Sequence, residues 1–249
     1  MITSIFNNGE FTFVPGMKKL SDFEVINWFD DFPALNATPF AGYYFGKDAT
    51  DIAINGFDLD NAAVEYGSLD NKNGFISADI DNYLDTQIKA PLKLTIGARI
   101  RRPAVPSGSL WFIGDYSGLG GTGVGFAVGV GVDGKLRAAA QNTGVAQTTI
   151  ASVDFPASIA VGDVVALTAY IRNGTVTIAV YNPETQEYDS NAVGMGGERA
   201  EGTANIFIGR KVDNNATTLS TDIGAIVMID GELTTAEHIA VQQYLYNMA

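Results

Sequence analysis

The chain of 249 residues has no cysteine and a single histidine, His238. Disulfides and thiolate metal sites are excluded on that ground alone. So are H-E-x-x-H and multi-histidine zinc sites, and a Ser-His-Asp triad would have to recruit His238. Neither a G-x-S-x-G nucleophile elbow nor a G-x-x-x-x-G-K-[ST] phosphate loop occurs. Basic residues are scarce: 15 Lys and Arg stand against 28 Asp and Glu, a formal charge of −13. That balance repels nucleic acid, and the basic trio Arg99, Arg101 and Arg102 is read as the solvated face and end of a strand. No apolar run is long enough for a helix to cross a bilayer. The first twenty residues lack a charged segment followed by an apolar one, so no secretory signal is expected.

What the chain does have is glycine, 28 residues of it, and strict alternation. Gly123–Gly131 reads Gly-Val-Gly-Phe-Ala-Val-Gly-Val-Gly, with Val124, Phe126, Val128 and Val130 on one side and only Gly or Ala on the other. Period two is a strand signature, and the following Asp133-Gly134 is a hairpin turn. Leu94, Ile96, Ala98 and Ile100 alternate in the same way, as do Val165, Leu167, Ala169 and Ile171. Asn173-Gly174 then turns the chain into Val176, Ile178 and Val180, and suits a type I′ turn. Further strands are expected at 52–57, 62–66, 74–78, Ser109–Gly114, Lys135–Ala140, Ile206–Gly209 and Ile223–Ile229. The fold class is therefore all-β, an antiparallel two-sheet sandwich of jelly-roll type.

Two helices flank the strands. Ser21-Asp22-Phe23-Glu24 has capping-box spacing, with Leu20 and Val25 at the hydrophobic-staple positions. Val25, Trp28, Phe29 and Phe32 follow at i, i+3, i+4 and i+7 before Pro33, a short helix with an aromatic stripe. The stripe either packs on its own sandwich or docks another subunit. A short strand is expected at Phe11–Gly16. At the other end, Thr234–Glu237 is a second capping box, opening a helix with the stripe Val241, Tyr244, Leu245 and Met248. The division expected is an attachment arm over 1–50 and a sandwich over 51–249.

Few residues point to chemistry. Gly118, Gly120 and Gly123 match G-x-G-x-x-G, but a strand follows where a phosphate cradle needs a helix N-terminus. The E-x-D-x-E run of many sandwich glucanases does not occur, so no catalytic residues are assigned and no enzyme is expected. Asp115, Asp133, Asp213, Asn214 and Asn215 are oxygen donors in expected turns. Calcium is the one metal they suit, although each also has a turn-forming role. Tyr116 beside Asp115, and Tyr181 and Tyr188 around another loop, are placed to stack on a sugar ring. The candidate ligand-binding set is thus Tyr116, Tyr181, Tyr188, Asp213, Asn214 and Asn215. No cofactor is expected.

Several segments, in order, resemble the laminin-G-like, concanavalin A-like family of sandwiches. They are Asn82-Tyr83-Leu84-Asp85-Thr86, Leu94–Ile100, Leu110-Trp111-Phe112-Ile113-Gly114-Asp115, Gly125–Gly129, Asp133-Gly134-Lys135-Leu136, the Asn173-Gly174 hairpin, Ile208-Gly209-Arg210 and Thr234–Ile239. The resemblance covers about Asn82 to Met248. It implies two packed antiparallel sheets, binding at rim loops or on the concave face, and carbohydrate or protein ligands, in some members through calcium. Arg99 stands where the family usually has a strand tryptophan. In composition the chain is also similar to bacteriophage virion proteins. That similarity implies a surface protein of the virion, a tail appendage or a capsid decoration. It would be made in the host cytoplasm, joined to other virion proteins through residues 1–50, and display the sandwich to cell-surface glycan. Neither nucleic-acid binding nor membrane insertion is expected, and self-association is a further partner to test. A glycan hydrolase of the same fold and a ligand-free structural cement are the alternatives.

Overall fold

The computed structural model describes residues 27–47, 49 and 51–248. In chain order the strands are β1 (Thr38–Tyr44), β2 (Val64–Tyr66), β3 (Asn71–Lys72), β4 (Phe75–Ala78), β5 (Tyr83–Asp85), β6 (Leu94–Arg101), β7 (Leu110–Gly114) and β8 (Phe126–Val130). There follow β9 (Leu136–Gln141), β10 (Thr148–Val153), β11 (Val164–Arg172), β12 (Thr175–Asn182), β13 (Glu187–Gly194), β14 (Phe207–Ile208), β15 (Thr221–Asp230) and the helix α1 (Thr235–Asn247).

All pairings are antiparallel and form two sheets. The first runs β13-β12-β11-β6-β15-β4-β3, with β1 also on β15, and the second runs β10-β9-β8-β7-β14-β5-β2. One side of β15 is shared: Thr221–Ile223 pair with β4, and β1 takes over from Ala225 onward. The alternating side chains meet between the sheets. Leu94, Ile96, Ala98 and Ile100 of β6 join Phe112, Phe126, Val128 and Val130 of the second sheet in one buried core. This is the expected sandwich, and its inward-facing set follows the period-two pattern of the sequence.

A second apolar layer lies outside the first sheet, where α1 packs on β6, β11 and β12. Thr234 caps the helix by accepting from the Glu237 amide at 3.3 Å, while Glu237 accepts from the Thr234 amide at 2.7 Å. Val241 and Leu245 are buried, and Gly97 leaves room for them: a Cβ there would lie 2.8 Å from the Leu245 side chain. The same outer face shows a departure from the sequence reading. Arg99 is buried, not solvated, and its guanidinium lies 4.5 Å from the centre of the Phe75 ring.

Three other expectations change. The described part of the first helix, from Asn27 to Phe32, is two i→i+3 turns, Asp30 to Asn27 and Phe32 to Phe29, each 3.1 Å. The Asn27 side chain competes with helix by accepting from the Phe29 amide at 3.1 Å and donating to the Gly56 carbonyl at 2.9 Å. Val25, the Ser21–Glu24 box and the Phe11–Gly16 strand lie outside the described residues. Segment 52–57 is turns instead of strand, because Asn55 accepts from the amides of Gly42 and Phe57 at 2.9 and 3.1 Å. Residues 38–44, expected in the arm, are β1 and belong to the first sheet.

The turns also differ in kind. At Asn173-Gly174 only the glycine has positive φ, +83°, so the turn is not type I′. The Asn173 side chain instead accepts from the Arg199 amide at 2.9 Å. Positive φ at both central residues occurs at Asn73-Gly74, +54° and +80°, between β3 and β4.

Candidate functional site

Among the described residues no helix packs on the outer face of the second sheet. Trp111 of β7 points there, directly across from Gly129 of β8, and Ala127 sits between Gly114 and Ala139. Ile150 of β10 continues the row opposite Ala139. Small residues in the middle and large ones beside them form a trough. Its floor is Ala127 and Ala139, its walls are Trp111, Tyr116, Thr148, Ile150 and Lys211, and it encloses about 150 Å³.

Tyr116 is fixed in the wall. Its hydroxyl donates to the Gln141 side-chain oxygen at 3.2 Å and lies 3.2 Å from the Thr148 hydroxyl, which donates to the same oxygen at 3.0 Å. Gln141 is buried, and its amide donates to the carbonyls of Asn142 and Val145. Gly123 leaves space for this arrangement, since a Cβ there would lie 2.8 Å from the Tyr116 hydroxyl. Neither Gln141 nor Thr148 is a base that takes a phenolic proton.

The other wall is Lys211, on a loop whose following residues anchor it to β7 and the Tyr116 segment. Val212 donates its amide to the Tyr116 carbonyl at 3.1 Å, Asp213 accepts from the Gly118 amide, and Asn215 donates to the Trp111 carbonyl at 2.9 Å. Lys211 places its ammonium 5.6 Å from the Tyr116 ring centre. Burial lowers its pKa, Asp213 raises it and Arg210 lowers it again. Among the described residues its ammonium has no hydrogen bond or ion pair.

Of the six sequence-chosen ligand residues only Tyr116 lines the trough; Asp213 and Asn215 anchor the adjacent loop through Gly118 and Trp111, and Asn214 lies between them. Tyr181 and Tyr188 are elsewhere, opposite one another on β12 and β13 of the first sheet. Tyr181 is only 5% exposed, under α1, with its ring 5.4 Å from that of Tyr246. It flanks a loop in sequence, but its strand position turns it into the helix layer. Tyr188 is half-buried, 5.9 Å from the His238 ring. Sequence reasoning missed Trp111, Lys211, Thr148 and the alanine floor. The one available signal was the small side of the sawtooth, which marks a face that no neighbouring layer fills.

The remaining polar candidates have structural partners. His238 places Nδ1 2.9 Å from the Thr168 hydroxyl, and burial lowers its pKa. Asp115 is fully buried, accepts from the Phe126 amide at 2.7 Å, and leaves Oδ2 unpaired against Gly202. Burial lifts its pKa to about 6, against the opposing pull of the Phe126 amide and Arg199. Asp133 pairs with Arg137 at 2.9 Å in the β8–β9 turn. Among the described residues no three His, Cys, Asp or Glu side chains converge as a metal site.

Two further features border the trough or compete with it. On the same sheet face, Tyr66 and Tyr83 stack at 4.8 Å and 3°, and Phe207 adjoins Tyr83 at 5.1 Å. A larger recess of about 680 Å³ opens between Trp28, Tyr44 and α1. It begins at the first described residue, Asn27, and its Trp28 ring is already stacked on Tyr44 at 4.2 Å. The trough is the better candidate because its aromatic and polar groups converge on open space.

No protein-family model and no curated protein matches the sequence. Solved structures do match in fold. The binding domain of botulinum neurotoxin serotype D superposes with a TM-score of 0.59 at 11% identity, over 84% of this chain and 51% of that one. Trypanosoma rangeli sialidase in complex with sialic acid gives 0.53 at 10% identity, over 83% of this chain and 32% of that one. The same sialidase with the inhibitor DANA gives 0.52 at 10%, over 86% and 33%. The chain therefore spans about a third of the sialidase and half of the toxin domain. At these identities the likeness shows a shared β-sandwich fold.

Proposed function

We propose that the chain is a non-catalytic glycan-binding sandwich, displayed on a virion surface as a tail appendage or capsid decoration for adhesion to host cells. The observation that carries the binding reading is the trough. Trp111 and Tyr116 flank an apolar floor on an open sheet face, with hydroxyl and ammonium groups at the walls. Aromatic surfaces with a few placed polar groups suit the apolar face and hydroxyl edge of a pyranose. A volume near 150 Å³, roughly that of five waters in the liquid, holds one ring. Binding through one ring is weak, and many copies on one carrier strengthen it by multivalency.

The neighbours lend support at the level of fold: one is a sialidase holding sialic acid, another a receptor-binding toxin domain. A non-catalytic role is supported by the lining, which has neither carboxylate nor histidine. A two-carboxylate glycosidase mechanism has no footing there. The virion setting rests on composition: an acidic, cysteine-free chain rich in glycine.

Screening on a glycan array, followed by titration of the hits, tests the site. Wild type retains at least one glycan, while Trp111→Ala and Tyr116→Ala, shown folded by circular dichroism, lose it. Retention by neither wild type nor variants removes the glycan reading. Finding no copy of the chain in purified virus particles removes the carrier and leaves the site untouched.

A further inference from the structure

Lys211 narrows the class of sugar. In a protein with a net charge of −13, the single charged side chain lining the trough is a cation. Neighbouring cations on this sheet are committed elsewhere. Arg137 pairs with Asp133 at 2.9 Å, Lys135 with Asp154 at 2.8 Å, and Arg210 donates to the carbonyls of Lys211, Ile80 and Val212. Among the described residues the Lys211 ammonium has no bonded partner: it lies 5.6 Å from the face of Tyr116, and Asp213 is near enough to raise its pKa but forms no ion pair with it. A half-buried ammonium beside an aromatic wall, with no anion in direct contact, is an electrostatic demand only partly met.

We infer that the sugar seated between Trp111 and Tyr116 carries a carboxylate, which pairs with the Lys211 ammonium. The inference rests on the glycan reading of the trough and specifies its ligand. One compact point charge matches one negative charge. A phosphate dianion would be left half-compensated within a strongly acidic molecule. The ring stacks on the aromatic walls, and its carboxylate is drawn to the one cationic position. Electrostatics supplies selectivity here, while the apolar floor supplies contact area.

The test compares glycans that end in a uronic or sialic acid with the same glycans after their carboxyls are reduced to primary alcohols. Binding is measured for wild type, Lys211→Met and Trp111→Ala. Lys211→Met keeps the aliphatic stem over Tyr116, so packing is preserved while charge is removed. Wild type binds the acids about tenfold more tightly than the alcohols, the scale of one hydrogen bond to a charged group. In Lys211→Met that preference disappears, and acids and alcohols bind alike. Equal affinity of wild type for acid and alcohol overturns the inference and leaves glycan binding in place. So does a preference that survives Lys211→Met, or preferred binding of sulfated neutral glycans. Failure to bind any member of either set sinks the glycan reading itself. Trp111→Ala loses both sets if the ring is where the trough places it.

Discussion

Trp111 and Gly129 face each other across β7 and β8, and a Cβ on Gly129 would lie 2.1 Å from the Leu110 carbonyl oxygen. The glycine is a condition for the two strands to approach as they do. Beside it, Ala127 and Ala139 are buried at 1% and 3% exposure, and among the described residues only the trough walls lie above them. The small half of the sawtooth thus serves close strand contact at Gly129 and an open floor next to it.

Gly129→Ala is expected to push β7 outward. Overpacking of this kind costs about 1–3 kcal/mol, read as a lower midpoint in urea. Glycan affinity falls with it, because Trp111 moves with β7. An unchanged midpoint would mean that the strands tolerate a methyl group at that contact.

Ala139→Leu fills the floor. The added atoms enter the trough and not the inter-sheet core, but Ala139 is only 3% exposed, so crowding against the walls costs about 1–3 kcal/mol, as for other small-to-large changes at buried positions. Binding is lost because the ring no longer fits. Retained affinity in this variant would place the sugar elsewhere, for example over Tyr66, Tyr83 and Phe207.

Asp115 gives the fold a pH dependence of definite sign. Its carboxyl titrates near 6 in the folded chain and near 3.8 when unperturbed. Between those values the folded state keeps a proton that the unfolded state has released, so stability falls as pH rises from about 4 to about 6. Above the upper value the loss is complete and constant. Asp115→Asn keeps an acceptor for the Phe126 amide and removes the titration. Urea midpoints of wild type and variant, compared from pH 4 to pH 7.5, should diverge in favour of Asn as pH rises. Parallel curves would show that this carboxyl does not carry the effect.

The strands of the core were legible because each alternates large and small or polar residues over five or more positions, as β6, β8, β11 and β12 do. β13 was not, since Glu187–Gly194 is an edge strand with almost no buried residue and hence no apolar period. β1 was hidden because residues 38–44 were assigned whole to the arm, and their partner β15 lies near the other end of the chain. Of the residues lining the site only Tyr116 was legible, together with the Asx loop that anchors Lys211. The rest depends on sheet order: residue 111 meets residue 211 only because β14 pairs with β7, and no local pattern encodes that pairing. The same distance along the chain hid the burial of Tyr181, which α1 covers from the far end of the sequence, while Arg99 is hidden by Phe75 of β4.

Trp28, Phe29 and Phe32 were read as either a docking strip or a layer on their own sandwich, and their contacts allow a direct test. Trp28 stacks on Tyr44, and its carbonyl accepts from the Tyr244 hydroxyl. Phe29 and Phe32 pack on Phe57 at 5.1 and 5.4 Å, and Phe32 meets Tyr244 edge-on at 5.2 Å. These contacts tie the start of the described chain to α1 at its end, so their removal should loosen the outer layer of the first sheet. For Trp28→Ala the expected loss is about 2 kcal/mol, roughly half that of a fully buried ring. Thermal unfolding measures it, and light scattering on the same samples follows the oligomeric state. A variant that kept its full stability but lost self-association, or attachment to a carrier, would assign the indole to docking instead.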